Sequence, residues 1–116
     1  MIGIDLIKTS RMNRLIERFG DKALQRFLSQ EEISLVKNYK TAAGFWAVKE
    51  ATSKALGVGI GSDCNFHDIT ITKTDRGAPQ ISLKKEIISK YNIIDTSVSI
   101  THDGKYAIAV VALQTT

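Results

Sequence analysis

The spacing of hydrophobic and polar residues predicts one short strand, then a series of helices, and then mostly strands. At the start of the chain, Ile2, Ile4 and Leu6 alternate with Gly3 and Asp5, which predicts a buried strand over residues 2–7. Apolar residues then recur every three or four positions, as they do on one face of a helix. The predicted helices cover residues 11–19, 21–28, 29–38 and 42–56.

Polar residues at the segment ends predict where these helices begin. Ser10 is a candidate N-cap for the first helix, and Thr41 is the candidate for the longest one. Ser29 and Glu32 have the spacing of a capping box. A glycine follows both the first and the longest helix, as is typical of helix C-termini.

In the second half of the chain the apolar spacing changes to the alternation of strands. One more short helix is predicted over residues 84–91, and Asp103-Gly104 is a strong hairpin signal. Because helices precede mostly hairpin-linked strands, we expect an α+β fold in which a long central helix and shorter helices pack on a largely antiparallel sheet. The predicted strands cover residues 66–73, 80–83, 96–101 and 106–113.

Composition is that of an ordinary globular protein. The 116 residues suffice for one domain, residues 1–116, and 43% hydrophobic with 24% charged residues argues against a disordered or fibrous chain. Cys64 is the only cysteine, so no disulfide can form within the chain. Because the chain opens without a signal-peptide pattern and has no apolar run of about 20 residues, we expect a cytoplasmic protein that does not span a membrane.

The charge balance indicates an anionic partner. Sixteen Lys and Arg residues against twelve Asp and Glu residues give a net charge of +4. Arg11, Arg14, Arg18 and Lys22 recur every three or four residues, which places them on one side if the helix is nearly continuous. This basic stripe is a candidate docking site for an acidic helix, and its alternative is an ordinary solvated face.

Two carboxylates and a lysine are the best candidates for chemistry. Asp5 interrupts an apolar strand, Glu50 lies inside the longest helix, and Lys54 follows Glu50 by one turn. Mg²⁺ is typically held by one or two carboxylates together with phosphate oxygens and water, so this trio could serve a metal and a phosphate. Gly57 and Gly59 could let the backbone approach the same ligand. Two alternatives stay open: Asp5 as a strand-end cap, and Glu50 with Lys54 as a surface ion pair.

The histidines and the cysteine indicate less. Ser99 and His102 lie three residues apart on a predicted strand and therefore point to opposite faces, which excludes them as a nucleophile and base pair. Cys64 and His67 have no partners at metal-ligand spacing, which argues against a zinc site.

Five short segments occur in the same order as the motifs of one known family, and together they extend over essentially the whole chain. One segment runs from Trp46 to Ile60, and its most specific part is the block from Lys49 to Ile60, which contains Lys49-Glu50-Ala51 and Lys54-Ala55-Leu56-Gly57-Val58-Gly59-Ile60. These segments resemble those of bacterial holo-[acyl-carrier-protein] synthases, which are small phosphopantetheinyl transferases. The other four segments are Ile2-Gly3-Ile4-Asp5-Leu6, Arg26-Phe27-Leu28-Ser29-Gln30-Glu31-Glu32, Phe66-His67-Asp68-Ile69 and Ser99-Ile100-Thr101-His102.

The resemblance implies a fold, a reaction and a set of site residues. Such an enzyme transfers 4′-phosphopantetheine from coenzyme A to a serine hydroxyl of apo-acyl carrier protein, in fatty acid biosynthesis, and releases adenosine 3′,5′-bisphosphate. Asp5 and Glu50 match the family's Mg²⁺ ligands, and Lys54 matches its pyrophosphate contact. His102 matches a nucleotide-phosphate contact, and Arg11 matches a carrier-docking arginine. The family is a homotrimer with active sites between neighbouring subunits.

Two positions depart from the family pattern. The family often has Arg-Phe before its signature block, whereas this chain has Phe45-Trp46. The family's turn usually reads Gly-Lys/Arg-Pro, whereas this chain has Gly77-Ala78-Pro79. Two basic contacts to the nucleotide are therefore missing. Lys37 and Lys40, just upstream of the longest helix, are the candidate replacements.

Two other functions compete with the transferase. A basic nucleic-acid-binding module would carry aromatic stacking residues on its strands, whereas residues 96–113 contain only Tyr106. A catalytically weak or inactive scaffold that binds only the carrier protein agrees with Phe45, but it leaves Asp5, Glu50 and Lys54 without a role. We therefore expect an enzyme whose partners are coenzyme A and a carrier protein rather than nucleic acid or a membrane.

Overall fold

The helices and strands follow the predicted order in the computed structural model, which describes residues 1–116. A single 3₁₀ turn, Phe66–Asp68, precedes the second strand, so the strand predicted over residues 66–73 is shorter than expected. The other elements are β1 (Ile2–Lys8), α1 (Thr9–Phe19), α2 (Asp21–Gln25), α3 (Gln30–Ile33), α4 (Tyr39–Ala55), β2 (Ile69–Lys73), β3 (Pro79–Leu83), α5 (Lys85–Tyr91), β4 (Ile93–Asp103) and β5 (Tyr106–Thr115).

The strands form two antiparallel sheets, which confirms the predicted α+β class. The larger sheet has the order β1-β5-β4, so β5 is central and β1 and β4 are the outer strands. The smaller sheet is the hairpin of β2 and β3. The long helix α4 packs across the larger sheet, and a single cluster of buried apolar residues joins it to both sheets. No helix is both long and apolar enough to cross a lipid bilayer.

Two of the predicted N-caps are wrong. Helix α1 begins one residue before Ser10, and its N-cap residue Lys8 makes no side-chain cap hydrogen bond. Helix α4 begins at Tyr39, before Thr41, and its N-cap is Asn38. The Asn38 side chain accepts hydrogen bonds from the backbone amides of Lys40 and Thr41, which have no partner within the helix.

The capping box predicted from Ser29 and Glu32 is present. The Ser29 hydroxyl accepts the Glu32 amide hydrogen, and the Glu32 carboxylate accepts the Ser29 amide hydrogen. The helix it opens is short, because α3 ends at Ile33 rather than near Asn38. Helix α2 also ends early, at Gln25.

The prediction that Ile2, Ile4 and Leu6 are buried is wrong. Their side chains are 75%, 58% and 56% exposed, whereas Gly3 and Ile7 are buried. Alternation along a strand shows which residues share a face, but it does not show which face the helices cover. Here α4 covers the face of β1 that carries the glycine, and the more apolar face is left open.

Small residues allow this close packing of α4 on β1. Ala47, Ala51 and Ala55 recur every four residues along α4 and are all buried. A Cβ atom added at Gly3 would collide with the carbonyl oxygen of Ala51 and would lie 2.6 Å from the backbone nitrogen of Ala55. On the neighbouring strand, the position paired with Asp5 is Ala109. The helix backbone and the strand backbone therefore lie almost in contact, and side chains at their shared edge are brought together.

A buried ion pair fixes the other side of α4. The Lys49 ammonium lies 2.9 Å from the Glu32 carboxylate, and both side chains are at most 1% exposed. Lys49 also donates hydrogen bonds to the carbonyl oxygens of Phe27 (2.7 Å) and Phe66 (3.0 Å), while Glu32 accepts the amide hydrogen of Ile71 (2.7 Å). Burial lowers the pKa of Lys49 below its usual value, and the hydrogen bond and charge of Glu32 oppose that shift. This pair joins α4 to α3, and its further hydrogen bonds reach the segment before α3 and strand β2.

Candidate active site

The close packing of α4 on β1 brings together Asp5, Glu50 and Lys54, which we call the acidic corner. The Lys54 ammonium lies 2.9 Å from Oδ1 of Asp5. Lys54 therefore pairs across to β1 and not with Glu50, its neighbour one turn earlier. The alternative in which Glu50 and Lys54 form a surface ion pair is not what the structure shows.

Glu50 is left without an ion-pair partner within the chain. Partial burial raises the pKa of its carboxyl group, and the negative charge of Asp5 raises that pKa further. The positive charges of Lys54 and Arg11 oppose the shift. Two carboxylates thus lie close enough to repel each other, and only one of them has a positively charged partner.

The acidic corner has the donor set that Mg²⁺ uses beside phosphate groups. It offers two carboxylates, and the chain has no cluster of three or more His, Cys, Asp or Glu side chains that could enclose a metal by itself. Mg²⁺ commonly takes one or two carboxylates and completes its octahedron with substrate phosphate oxygens and water. Asp5 and Glu50 therefore fit a divalent cation that is shared with a phosphate-bearing substrate.

Gly57 and Gly59 lie in the turn that ends α4, next to Lys54. Both have positive φ values, 79° and 69°, which glycine adopts without strain. The Gly57 amide donates to the carbonyl oxygen of Lys54 (2.9 Å), and the Gly59 amide donates to that of Ser53 (3.3 Å). The turn folds back at the same end of α4 as the acidic corner, as the sequence predicts.

A second candidate region is a pocket of about 460 Å³, which we call the basic pocket. It contains Lys37 and His102 from the predicted cofactor-binding set, together with Lys73, which the sequence analysis missed. No carboxylate lines it. Its lining residues are Leu35, Lys37, Thr41, Gly44, Phe45, Lys73, Gly77, Pro79, Ile100 and His102.

His102 is held at the rim of this pocket by the backbone of α4. Its Nε2 atom lies 2.8 Å from the carbonyl oxygen of Lys40, so Lys40 positions the imidazole through its backbone. The Lys40 side chain is absent from the pocket lining, unlike that of Lys37. Gly44 leaves room for the ring, because an added Cβ there would lie 3.3 Å from Cε1 of His102.

The Phe45 side chain is 1% exposed and forms part of the wall of the basic pocket. The Lys73 ammonium lies 5.7 Å from the centre of that ring, within reach of a cation–π contact. Lys73 ends β2, just before the turn at Asp75 and Arg76. Its position across the pocket from α4 depends on how the β2–β3 hairpin packs, so no local motif could have identified it.

One chain does not bring the basic pocket and the acidic corner together. Asp5 lies on β1 and His102 on β4, and these are the two outer strands of the larger sheet. At 3.6 residues per turn, Glu50 points about 180° away from Thr41, which lines the pocket. The predicted cofactor-binding residues therefore form two separate groups, with Lys54, Gly57 and Gly59 in one and Lys37 and His102 in the other.

The basic stripe is shorter than predicted. Arg11, Arg14 and Arg18 are exposed on α1, but that helix ends at Phe19, and Lys22 lies in the separate helix α2. Arg11 lies near enough to the acidic corner to lower the pKa of Glu50. The stripe thus begins beside the two carboxylates and leads away from them along α1.

Cys64 offers no nucleophile. The thiol is buried, and burial with the nearby negative charge of Asp68 raises its pKa to about 11. The reactive form of cysteine is the thiolate, so this side chain is inert at neutral pH.

Comparison with known proteins defines the class. The model of the 4′-phosphopantetheinyl transferase superfamily matches residues 1–111. The protein is therefore an enzyme of the phosphopantetheinyl transferase class.

Individual relatives specify the class further. The holo-[acyl-carrier-protein] synthase of Sulfurimonas denitrificans is 65% identical over 116 residues, which is 100% of this chain and 96% of the relative. The solved structure of Helicobacter pylori holo-[acyl-carrier-protein] synthase in complex with coenzyme A has 48% identity and a TM-score of 0.95, covering 98% of this chain and 100% of that one. A Bacillus anthracis synthase solved with coenzyme A (3′,5′-ADP) has 32% identity and a TM-score of 0.83, covering 99% and 96%. The chain belongs to the holo-[acyl-carrier-protein] synthase family.

Proposed function

We propose that this enzyme transfers 4′-phosphopantetheine from coenzyme A to a serine hydroxyl of apo-acyl carrier protein, with Mg²⁺, and releases adenosine 3′,5′-bisphosphate. The observation that carries the proposal is the acidic corner, where Asp5, Glu50 and Lys54 meet at the edge of β1 and α4. Relatives solved with coenzyme A support the choice of donor.

The reaction is an attack on a phosphorus atom. The serine oxygen forms a bond to the β-phosphorus of coenzyme A, and the bond from that phosphorus to the bridging oxygen of the pyrophosphate breaks. Adenosine 3′,5′-bisphosphate leaves with the electron pair of the broken bond, and the serine proton passes to a base that we leave unassigned. Negative charge grows on the leaving group, and the Lys54 ammonium would stabilise it.

Asp5 and Glu50 are the residues that would hold Mg²⁺. When bound, the cation supplies positive charge to the pyrophosphate oxygens. The two carboxylates would provide its protein ligands beside Lys54. An added Cβ at Gly57 or Gly59 would meet no atom within 4 Å, so the turn after Lys54 leaves open space at both glycines.

Replacing Glu50 with glutamine is expected to reduce transfer by about a hundredfold or more, because the amide cannot supply the second negative charge to the cation. Purified variant, apo-acyl carrier protein, coenzyme A and Mg²⁺ are incubated together, and the carrier is weighed by intact-mass spectrometry. Glu86→Gln, on the exposed side of α5, is the matched control and should transfer normally. Near-normal transfer by a folded Glu50→Gln variant would remove Glu50 from the proposed site.

The carrier protein is proposed to dock on the basic stripe of α1. Replacing Arg11 and Arg14 with alanine should raise the KM for the carrier several-fold and leave the KM for coenzyme A nearly unchanged, because exposed charges act mainly on encounter with the acidic partner. Lys84→Ala with Lys85→Ala removes the same charge at α5 and is the control. Equal changes in both constants would contradict docking on the stripe.

A homotrimer would explain two features of the isolated chain. The acidic corner and the basic pocket lie on opposite sides of α4. In a trimer, the basic pocket of one copy could lie beside the acidic corner of the next, and the two together would form one complete site. The open face of the larger sheet carries Ile2, Ile4, Leu6 and, in register on β5, Val110, and these side chains are 39–75% exposed. An exposed apolar face of this kind is typical of a protein–protein contact.

The trimer is tested by placing a charge on this face. Ile4→Glu is expected to give a folded monomer by analytical ultracentrifugation, with transfer lost, because a carboxylate cannot be buried between copies without a partner. Ile88→Glu, on an exposed position of α5, should keep the assembly and the activity. A trimeric mass for a folded Ile4→Glu protein would show that this face is not the contact.

A further inference from the structure

The position of Lys54 has a consequence for the order in which ligands bind. Its ammonium lies 2.9 Å from Oδ1 of Asp5, and the Asp5 side chain is only 12% exposed. The negative charge of Asp5 is therefore already balanced by this chain's own lysine. Glu50, the other carboxylate, has no such partner.

Asp5 cannot serve the lysine and a divalent cation equally well. Carboxylate oxygens bind Mg²⁺ at about 2.1 Å, so a cation on Asp5 would lie beside the Lys54 ammonium at a distance where like charges repel strongly. Lys54 can leave this position. Its side chain is 50% exposed, and its flexible stem carries three hydrogen-bond donors that suit phosphate oxygens.

We propose that Lys54 acts as an internal counter-ion that holds Asp5 in the free enzyme and moves to the pyrophosphate when coenzyme A arrives, so that metal and donor bind cooperatively. The proposal rests on the proposed function. Without donor, Lys54 competes with the metal for Asp5 and keeps metal affinity low. With donor, the same lysine stabilises the phosphate and releases Asp5. Because binding couplings are reciprocal, the metal must strengthen donor binding by the same factor.

A variant at Arg11 separates the effect of the Lys54–Asp5 ion pair from the general effect of a nearby positive charge. The positive charges of Arg11 and Lys54 both act on Glu50, so both residues belong to the electrostatic surroundings of the acidic corner. Only Lys54 touches Asp5. Removing either residue changes the net charge by one, but only removal of Lys54 frees the carboxylate.

The test is a titration with Mn²⁺ alone, followed by the electron paramagnetic resonance signal of the unbound ion, on protein without coenzyme A. Lys54→Met is expected to bind Mn²⁺ about tenfold more tightly than the wild type, within the range known for coupled sites. Lys54→Arg keeps the ion pair and should match the wild type. Arg11→Gln should gain less than Lys54→Met.

A second titration in saturating coenzyme A completes the experiment, with Mn²⁺ binding to coenzyme A alone subtracted. The wild type should gain metal affinity from the donor, and Lys54→Met should gain less. An Mn²⁺ affinity of the free Lys54→Met protein equal to or below that of the wild type overturns the counter-ion role, as does an equal gain in Arg11→Gln. If the wild type binds no Mn²⁺ even with coenzyme A, the metal site of the proposed function fails together with this inference.

Discussion

Gly3→Ala is expected to destabilise the fold by about 3 kcal/mol or more and to abolish transfer in whatever protein remains folded. The new methyl group would meet the backbone of Ala51 and Ala55, and backbone atoms cannot rotate away as a side chain can. Strand β1 must therefore move off α4, which takes Asp5 away from Glu50 and Lys54. Urea denaturation measures the change in the free energy of unfolding, and the carrier-mass assay measures transfer.

Gly61→Ala is the matched control for this change. No atom lies within 4 Å of an added Cβ at Gly61, and its φ is not in the left-handed region, so its stability should stay within about 0.5 kcal/mol of the wild type. A Gly3→Ala protein as stable as this control would show that β1 and α4 are not packed backbone against backbone. Normal transfer by a stable Gly3→Ala protein would show that the acidic corner tolerates a wider spacing.

Lys49→Met is expected to cost about 3–5 kcal/mol, because it leaves the Glu32 carboxylate buried without its positive partner. The variant also loses the hydrogen bonds to the carbonyl oxygens of Phe27 and Phe66. Transfer should fall as well, since Glu50 is the next residue on α4 and its direction follows the rotation of that helix. Urea denaturation with transfer kinetics on the folded fraction measures both effects.

The exposed ion pair between Lys90 and Asp63 is the control for the buried pair between Lys49 and Glu32. Lys90 lies 3.6 Å from Asp63 with both side chains more than half exposed, so Lys90→Met should change stability by less than about 1 kcal/mol. The double variant Lys49→Met with Glu32→Gln should be less damaged than the sum of its two single variants, because no buried charge then stays unpaired. Strict additivity would mean that Lys49 and Glu32 act independently, against the ion pair described above.

Local patterns in the sequence predicted the parts of the fold that are held by local interactions. The long helix α4, the β4–β5 hairpin at Asp103-Gly104 and the capping box of α3 depend on residues a few positions apart, and all three are present. The N-cap predicted at Thr41 failed because Asn38, three residues earlier, caps the helix. The N-cap predicted at Ser10 failed because α1 follows β1 directly and already begins at Thr9.

Contacts between distant segments could not be predicted in the same way. Glu32 and Lys49 are 17 residues apart, and nothing near either one marks it as buried. Lys73 reaches the basic pocket only because the β2–β3 hairpin packs beside α4. The sequence predicted the wrong buried face of β1. The packing of α4 on Gly3 outweighs the preference for burying Ile2, Ile4 and Leu6.

For the candidate site, the sequence indicated Asp5, Glu50 and Lys54 but not how they pair. Spacing along the helix favoured an ion pair between Glu50 and Lys54, whereas Lys54 reaches Asp5 on the strand below. The division of the predicted cofactor residues between two sides of α4 also depends on the strand order, which no motif encodes.

The open apolar face of β1 would make the stability of this protein depend on its concentration if the proposed trimer forms. If neighbouring copies cover Ile2, Ile4 and Leu6, each copy gains stability from mass action, and the melting temperature rises as the solution becomes more concentrated. The strand that would gain most is the one that carries Asp5 toward α4. In that case dilution would loosen Asp5, the proposed metal ligand, before it unfolds the rest of the chain, so loss of activity on dilution would precede loss of helical structure.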